Sequence, residues 1–527
     1  GSLGPTMTSL SFACFTPSLM PENLLERTFV AREPILKTIM KRVEKLGKTP
    51  SPNHTLLVGS YGVGKTHLIS LAYHRSVKLA DGQRNTSLRI ARLPETPWRI
   101  TSYARLLAAI LNQFSPTEMK SADEISIEAQ LRGSIRVDGP IVVFMENVSQ
   151  IFEALGQDGQ QKLRSLLQTE TGILIIGSTT RLDRSLSDHA SPFFGFFDTI
   201  RLEPFTPEEA REMLSTLAHE AENAELAEYA SGPDVMVQIR TITHLTGGVP
   251  RVWAMLGSAL DAADFEGLST LLLARIDAFT PYYQEQLAQL SPLQRLVMAE
   301  LVAANHPLPV KDLAERVGSE QRTVAKAISD LSERAWIKPV STLFTDLLDQ
   351  RRSYYDLVDP LARLVLQLKD SDTLLLPSIV HFLETWFGTE GLTASSSFEL
   401  LGEVEDALAS AAQGDAEPMM ALPSTAREAI EIKVCDVEGI SSARLNLLAK
   451  AAKGADLLPS KDIIEWLARA ERLDHELQST QSRLTLVRWL AASHHFEEAE
   501  AALGTITSAQ EAQEGARALS DAHQALN

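Results

Sequence analysis

Eight consecutive residues carry the clearest chemistry in the chain: Gly59-Ser60-Tyr61-Gly62-Val63-Gly64-Lys65-Thr66. They fit G-x-x-x-x-G-K-[ST], a loop whose main-chain N–H groups curl around phosphate oxygens. Glycine permits the tight path, and the helix that follows turns its positive dipole end toward the anion. Lys65 would reach the β- and γ-phosphates of a nucleoside triphosphate. The Thr66 hydroxyl would help hold Mg²⁺. Gly59, Tyr61, Gly62, Val63, Gly64, Lys65, Thr66 and His67 are therefore the candidate phosphate-binding residues. A short apolar run, His54 to Val58, precedes the loop and suits a buried parallel strand. His67 to Tyr73 after it can open a helix.

Other candidate groups follow later apolar runs. Glu146-Asn147 closes the run Ile141–Met145. In one register Glu146 serves the metal, and Asn147, which cannot act as a base, positions a water through its amide. In the other, Met145 stands at the metal position and Glu146 at the catalytic one. The first is preferred, because Met is a poor Mg²⁺ ligand. It predicts slow hydrolysis. Ser178-Thr179-Thr180-Arg181 follows the next run, and Arg181 has the bidentate geometry that suits a γ-phosphate. Further on, Gly248-Val249-Pro250-Arg251 starts a helix, with Pro250 at its beginning and Arg251 placed to swing over a nucleotide.

The elements that must hold these groups are legible as alternation. Thr55–Val58, Leu88–Leu93, Ile141–Met145, Gly172–Gly177 and Thr199–Leu202 read as strands, with helical patterns between them. Such an order implies a parallel sheet covered on both faces, with ligands beyond the carboxyl ends of the strands. Arginines in the second run mark it as an edge strand. Thr206 with Glu209 forms a capping box ahead of a new helix, and Pro207 suits its first turn.

Together these pieces resemble the AAA+ ATPases, and especially the branch shared by origin-recognition-type ATPases, archaeal winged-helix ATPases and STAND signalling ATPases. Thr28-Phe29-Val30-Ala31-Arg32-Glu33 looks like that branch's F-x-G-R-E entry motif, with Ala31 in place of the usual glycine. The resemblance implies that Phe29, Val30 and Arg32 lie beside an adenine, and it favours ATP over GTP. Thr179-Thr180-Arg181 looks like the sensor-1 motif of the signalling members. Gly248 to Arg251 looks like the sensor-2 motif of the origin-type members, whose arginine contacts the γ-phosphate. Glu146-Asn147 departs from the family's Asp-Glu or Asp-Asp. An intersubunit arginine finger would fall between the fourth and fifth strands, where Arg184 is the only other arginine. The match spans about residues 20–280.

A helix-turn-helix pattern follows. Ser291-Pro292 starts one helix, His306 to Val310 reads as a breaker, and Lys311 to Val317 forms a short helix ended by Gly318. Ser319 to Gln321 reads as a turn with a cap, and Arg322 to Arg334 as a longer helix. Trp336–Val340 and Ser353–Val358 are expected as wing strands. If this region meets duplex DNA, Gln321, Arg322 and Lys326 would enter the major groove, and Arg351 and Arg352 would meet phosphate. A partner-protein role is equally open, because Lys311 to Arg334 carries both signs of charge. Tyr355 to Leu364 resembles the tyrosine and Asp-Pro ending of the archaeal-type winged helix.

The last third reads as helices. Leu484, Val487, Trp489, Leu490 and Phe496 to Leu503 resemble a tetratricopeptide-like hairpin, although no fixed 34-residue period is visible. The end of the chain reads as an open amphipathic helix, as in a truncated piece.

Residues 371–527 hold 11 Lys and Arg against 25 Asp and Glu, whereas residues 1–200 hold 22 against 18. The acidity lies mostly in the tail, so any DNA contact is expected upstream of it. The two cysteines, Cys14 and Cys435, offer neither a metal site nor a disulfide framework, and a reducing cytoplasm is the natural expectation. No apolar run approaches the ~18 residues of a membrane span.

The expected organisation is a leader or tag over 1–20 and an AAA+ α/β core with a five-stranded parallel sheet over 21–204. A helical lid over 205–285, a winged helix over 286–370 and an acidic helical tail over 371–527 complete it. The expected function is an ATP- and Mg²⁺-binding switch with weak hydrolysis. Its nucleotide state would control homo-oligomer formation and partner or DNA binding, with regulation or antiviral defence suggested by analogy. A DNA-dependent ATPase of replication or transposition and a nucleotide-bound scaffold are the alternatives.

Overall fold

A computed structural model describes residues 17–259 and 272–369, apart from short stretches at 50, 83–86, 96, 115–122, 181–185, 187–188, 233–234, 273–274, 341–351. Beyond these it describes isolated segments, chiefly 417–435, 496–504 and 509–526. The chain divides into two compact units, Gly1–Val235 with Gly248–Leu268, and Met236–Gly247 with Ser269–Asn527.

The first unit is built on a five-stranded parallel sheet in the order β2-β3-β4-β1-β5. Its strands are β1 (Thr55–Val58), β2 (Arg89–Arg92), β3 (Ile141–Met145), β4 (Ile173–Thr179) and β5 (Asp198–Arg201). β1, β3 and β4 are buried along their whole length, which explains why they read as continuous apolar runs. β2 lies at an edge and is less buried, as its arginines predict.

The pleat sorts the apolar side chains into two cores. Leu56, Val58, Ile141, Val143, Met145, Ile173 and Ile175 pack on one face with α4 (Tyr103–Leu111), α5 (Glu124–Asp138) and α6 (Val148–Thr169). Leu57, Val142, Phe144, Leu174 and Ile176 pack on the other with α1 (Glu22–Arg27), α2 (Glu33–Lys45) and α3 (Lys65–Gly82). Each such fully buried side chain contributes about 1.5–3 kcal/mol relative to exposure. This two-sided burial fixes the carboxyl ends of β1, β3 and β4, where the candidate groups sit.

Among the described residues, three further helices belong to this unit: α7 (Pro207–Glu220), α8 (Ala224–Ser231) and α10 (Pro250–Ala259). α7 opens with the expected capping box. The Glu209 amide donates to Thr206 Oγ1 at 3.2 Å, and the Thr206 amide donates to Glu209 Oε2 at 2.9 Å.

The second unit takes α9 (Val235–Thr246) from its second residue onward, then α11 (Thr280–Ala288), α12 (Pro292–Ala304), α13 (Val310–Val317) and α14 (Gln321–Glu333). A small antiparallel sheet joins them in the order β6-β8-β7, formed by β6 (Leu308–Pro309), β7 (Ile337–Pro339) and β8 (Tyr354–Leu357). Three helices with such a sheet make the winged-helix arrangement, and Gly318 in the left-handed region ends α13 as expected.

Two local expectations are corrected. His306 to Val310 is not only a breaker, because Leu308 and Pro309 pair with Tyr355 and Tyr354. β6 is an edge strand, so the N–H that proline lacks has no neighbour to serve on its open side. The N-cap of α14 is Glu320, without a side-chain cap bond, rather than a cap supplied by Ser319.

α15 (Pro360–Lys369), α16 (Glu417–Ala421) and α17 (Ser424–Cys435) complete the described parts near the sheet. α18 (Phe496–Gly504) packs on α19 (Ala509–Leu526) as a helical hairpin. Trp386, Phe387, Leu484, Trp489 and Leu490, on which the tail expectation also drew, lie outside the described residues.

Candidate nucleotide site

The loop Gly59–Gly64 leaves the carboxyl end of β1 and runs into α3. Gly62 and Gly64 take φ of +78° and +99°, which L side chains rarely adopt. Gly59 is required by space: a Cβ there would meet the Leu202 carbonyl and Val63 Cγ1 at 2.8 Å. The Gly59 amide donates to the Thr179 carbonyl at 3.3 Å, which ties the loop to β4. Lys65 Nζ donates to the carbonyls of Gly59 at 2.7 Å and Ser60 at 2.9 Å, so the ammonium sits within the curl of the loop. Burial lowers its pKa to about 8, against the opposing pull of the Glu146 charge.

Thr66 and Glu146 meet. Thr66 Oγ1 donates to Glu146 Oε2 at 2.5 Å, and Glu146 is 4% exposed. A hydroxyl and a carboxylate side by side are hard oxygen donors of the kind Mg²⁺ takes, so this pair fits the ion. Met145 instead points into the core and is 1% exposed, which supports the register with Glu146 as the metal-side residue. Burial raises the Glu146 pKa; the Thr66 hydrogen bond and the Arg92 charge work against that rise.

Arg92, which no motif in the sequence marks, is the cationic partner of Glu146 beside the Thr66 hydroxyl. From the edge strand β2 its Nη2 reaches Glu146 Oε1 at 3.3 Å and donates to Ser70 Oγ at 2.9 Å. Its guanidinium lies 5.5 Å from the Tyr73 ring centre. The only sequence signal is the pair of arginines, Arg89 and Arg92, in a short strand, and the register that sets Arg92 beside Phe144 brings it to Glu146.

Asn147 has two structural reasons to be asparagine. Its φ is +52°, which Asn tolerates better than most residues, and its Nδ2 donates to the Glu95 carbonyl at 2.8 Å. Thr179 is buried, and its hydroxyl lies 2.7 Å from Ser149 Oγ. Arg181 and Arg184 lie outside the described residues.

Arg251 comes to the loop. Its amide donates to the Gly62 carbonyl at 3.1 Å, and its Nη1 donates to the Tyr61 hydroxyl at 2.7 Å. Its guanidinium carbon is 5.0 Å from the Tyr61 ring centre. Pro250 opens α10 just before it, and a Cβ on Gly62 would strike Val249 Cγ1 at 2.8 Å.

The entry segment lines up beside α3. Phe29 packs on His67 with ring centres 5.5 Å apart, and Val30 is buried. A His67 ring nitrogen lies 2.9 Å from the Leu25 carbonyl, and burial lowers the imidazole pKa. Arg32 donates to the Glu203 carbonyl and lies over the Phe205 ring at 5.4 Å, its pKa lowered by burial. Ala31 takes φ of +62°, which accounts for the glycine expected at that place.

In the second unit Gln321, Arg322 and Lys326 are exposed on the outer face of α14, while Val324, Ala327, Ile328 and Leu331 face inward. Arg352 pairs with Glu417 at 3.8 Å rather than standing alone, and Arg351 lies outside the described residues. Among the described residues no cluster of three or more His, Cys, Asp or Glu could hold a metal, and no helix is long and apolar enough to cross a membrane.

A parallel sheet of this order, with the phosphate loop after β1, an acidic residue after β3 and a helical segment returning an arginine to the loop, has the AAA+ P-loop architecture. The chain is similar to ATPases of the origin-recognition branch among solved structures. The Aeropyrum pernix ORC2 protein, solved as ADPNP and ADP complexes, matches with a TM-score of 0.47 and 12% identity, covering 67% of this chain and 94% of that one. The Aeropyrum pernix ORC1 protein in complex with DNA matches with a TM-score of 0.39 and 16% identity, covering 66% and 94%. The Drosophila origin recognition complex bound to DNA matches with a TM-score of 0.38 and 11% identity, covering 70% and 94%. No protein-family model matches the chain, and no curated protein matches it.

Proposed function

We propose that this chain binds MgATP in the Gly59–Thr66 loop and uses it as a switch, with duplex DNA contacted by α14 and the wing. The observation that carries the reading is Arg251, which touches the loop through both its backbone amide and its guanidinium. A γ-phosphate would compete with Tyr61 for that guanidinium, so the helices around α7 and α10 would respond to triphosphate against diphosphate. Thr66 and Glu146 would hold the Mg²⁺, which supplies charge neutralisation at the phosphates. Lys65 would trade its two loop carbonyls for phosphate oxygens. Phe29, Val30 and Arg32 would flank the base. Asn147 carries no base, which favours slow hydrolysis and a switch over a motor.

The same proposal divides the chain into an α/β core at 21–204, a lid at 205–285, a winged helix at 286–370 and a helical tail at 371–527. Of the proteins named above, the Aeropyrum pernix ORC1 protein and the Drosophila complex were solved with DNA; in this chain the exposed Gln321, Arg322 and Lys326 of α14 would supply the groove contacts. Control of self-assembly or of a partner through the tail belongs to the reading as well.

Titration calorimetry tests the core of it. Wild type should bind MgATP, and Lys65→Ala should weaken binding roughly ten- to hundredfold, the range of one lost charge-assisted hydrogen bond. Arg251→Ala should retain ADP binding while losing preference for ATP. Absence of binding heat for every purine triphosphate would end the proposal. ATP hydrolysis strongly accelerated by duplex DNA would favour a motor, and non-exchanging copurified ADP would favour a scaffold.

A further inference from the structure

The described part of the acidic tail near the wing is not loosely attached. The α17 amide of Ser424 donates to the Asn305 carbonyl at the end of α12, at 2.7 Å. A histidine ring nitrogen, His244 Nε2 on α9, lies 2.7 Å from the Thr425 carbonyl. Behind these contacts lies a buried ionic group. Arg363 of α15 and Arg427 of α17 share Asp356 Oδ2 of β8 at 3.1 and 3.5 Å. Arg363 also meets Glu428 at 3.2 Å. Arg363, Arg427 and Asp356 are each 3% exposed or less. Breaking one member of a buried group like this leaves the others uncompensated, so the dock is held firmly in one register.

Seven residues ahead of Ser424, the same segment presents Glu417 to the wing. Its carboxylate accepts from the Tyr354 hydroxyl at 2.5 Å and pairs with Arg352 Nη1 at 3.8 Å. Tyr354 is buried and stays protonated, since burial pushes its pKa up to about 12. Arg352 is one of the two wing arginines expected to meet phosphate, and Glu417 pairs with its half-exposed guanidinium.

We propose that Glu417 is a built-in phosphate mimic that masks the wing arginine Arg352, so that the docked tail segment limits duplex binding by the winged helix. This inference rests on the duplex-contact reading given above. Releasing Glu417 would add about one phosphate contact and steepen the salt dependence by about 0.9 in log–log slope.

Fluorescence anisotropy of a labelled duplex with the full chain, at 50 and 200 mM salt, tests it. Glu417→Gln should tighten binding, and the gain should be larger at the lower salt by about 3.5-fold, the factor one extra phosphate contact contributes over that range. Tyr354→Phe, which frees one side of the same carboxylate, should tighten binding less. The double variant E417Q/R352A should bind no more tightly than R352A. Unchanged affinity and slope in E417Q, with wild-type binding that depends on Arg322 and Lys326, would overturn the masking while leaving the duplex reading intact. Absence of duplex binding by both wild type and E417Q would overturn both.

Discussion

Substituting Ala31 by glycine should stabilise the first unit. Ala31 holds φ of +62° between the buried Val30 and Arg32, whose guanidinium is fastened to the Glu203 carbonyl and the Phe205 ring. The left-handed region costs a residue with a Cβ roughly 1–2 kcal/mol. Glycine relieves that cost but loses about 0.4–1 kcal/mol through the greater freedom of the unfolded chain. The difference is a net gain of about 0.5–1 kcal/mol, or on the order of 1–4 °C in Tm for a unit of this size. Urea unfolding followed by circular dichroism, with a thermal scan beside it, measures the change. Ala31→Val is the opposing control and should lose more than 1 kcal/mol, because a β-branched side chain is poorer still at positive φ. An A31G protein no more stable than wild type would refute the argument that strain is concentrated at this position.

Two further outcomes follow from buried charges. His54 accepts the Ile175 amide at 3.1 Å, stacks on Phe196, and is held neutral by burial with its pKa lowered to about 4. Above pH 6.5 both folded and unfolded chains carry the neutral ring and its contribution is complete; between 6.5 and about 4 only the unfolded chain gains the proton, so stability falls with pH by up to ~3 kcal/mol. Urea melts at pH 6.5, 5.5 and 4.5 should show a shallower slope in His54→Gln, and an identical slope would count against the assignment. Arg92→Met should cost about 3 kcal/mol by leaving the buried Glu146 carboxylate without its guanidinium partner, and Glu146→Gln added to it should recover part of the loss in a double-mutant cycle. Additive losses would show that the pair does not interact.

The phosphate loop was legible because its chemistry is local. Strand, glycines, lysine and hydroxyl occur within a dozen residues, and only one backbone path satisfies them. Arg251 was legible through the proline that starts its helix. Arg92 was not, because its role depends on the register between β2 and β3, across 54 residues of chain. The docking of Glu417 on Arg352 and Tyr354 is likewise a long-range event with no periodic signal. From sequence the residues of β6 look like a breaker, because proline usually excludes pairing, whereas an open sheet edge accepts it. Arg181 and Arg351 fall outside the described residues, so their expected roles rest on sequence alone.

The left-handed peptide at Asn147 bears on how this chain could change over generations. A glutamate there would meet the strain of a positive φ, and the Glu95 carbonyl would lose the amide that now serves it. Only glycine and asparagine-like residues fit that turn readily. On the proposed reading, turnover is therefore restrained by the path of the main chain as well as by a missing carboxylate. Brisk hydrolysis would take a reshaped exit from β3, not a single codon.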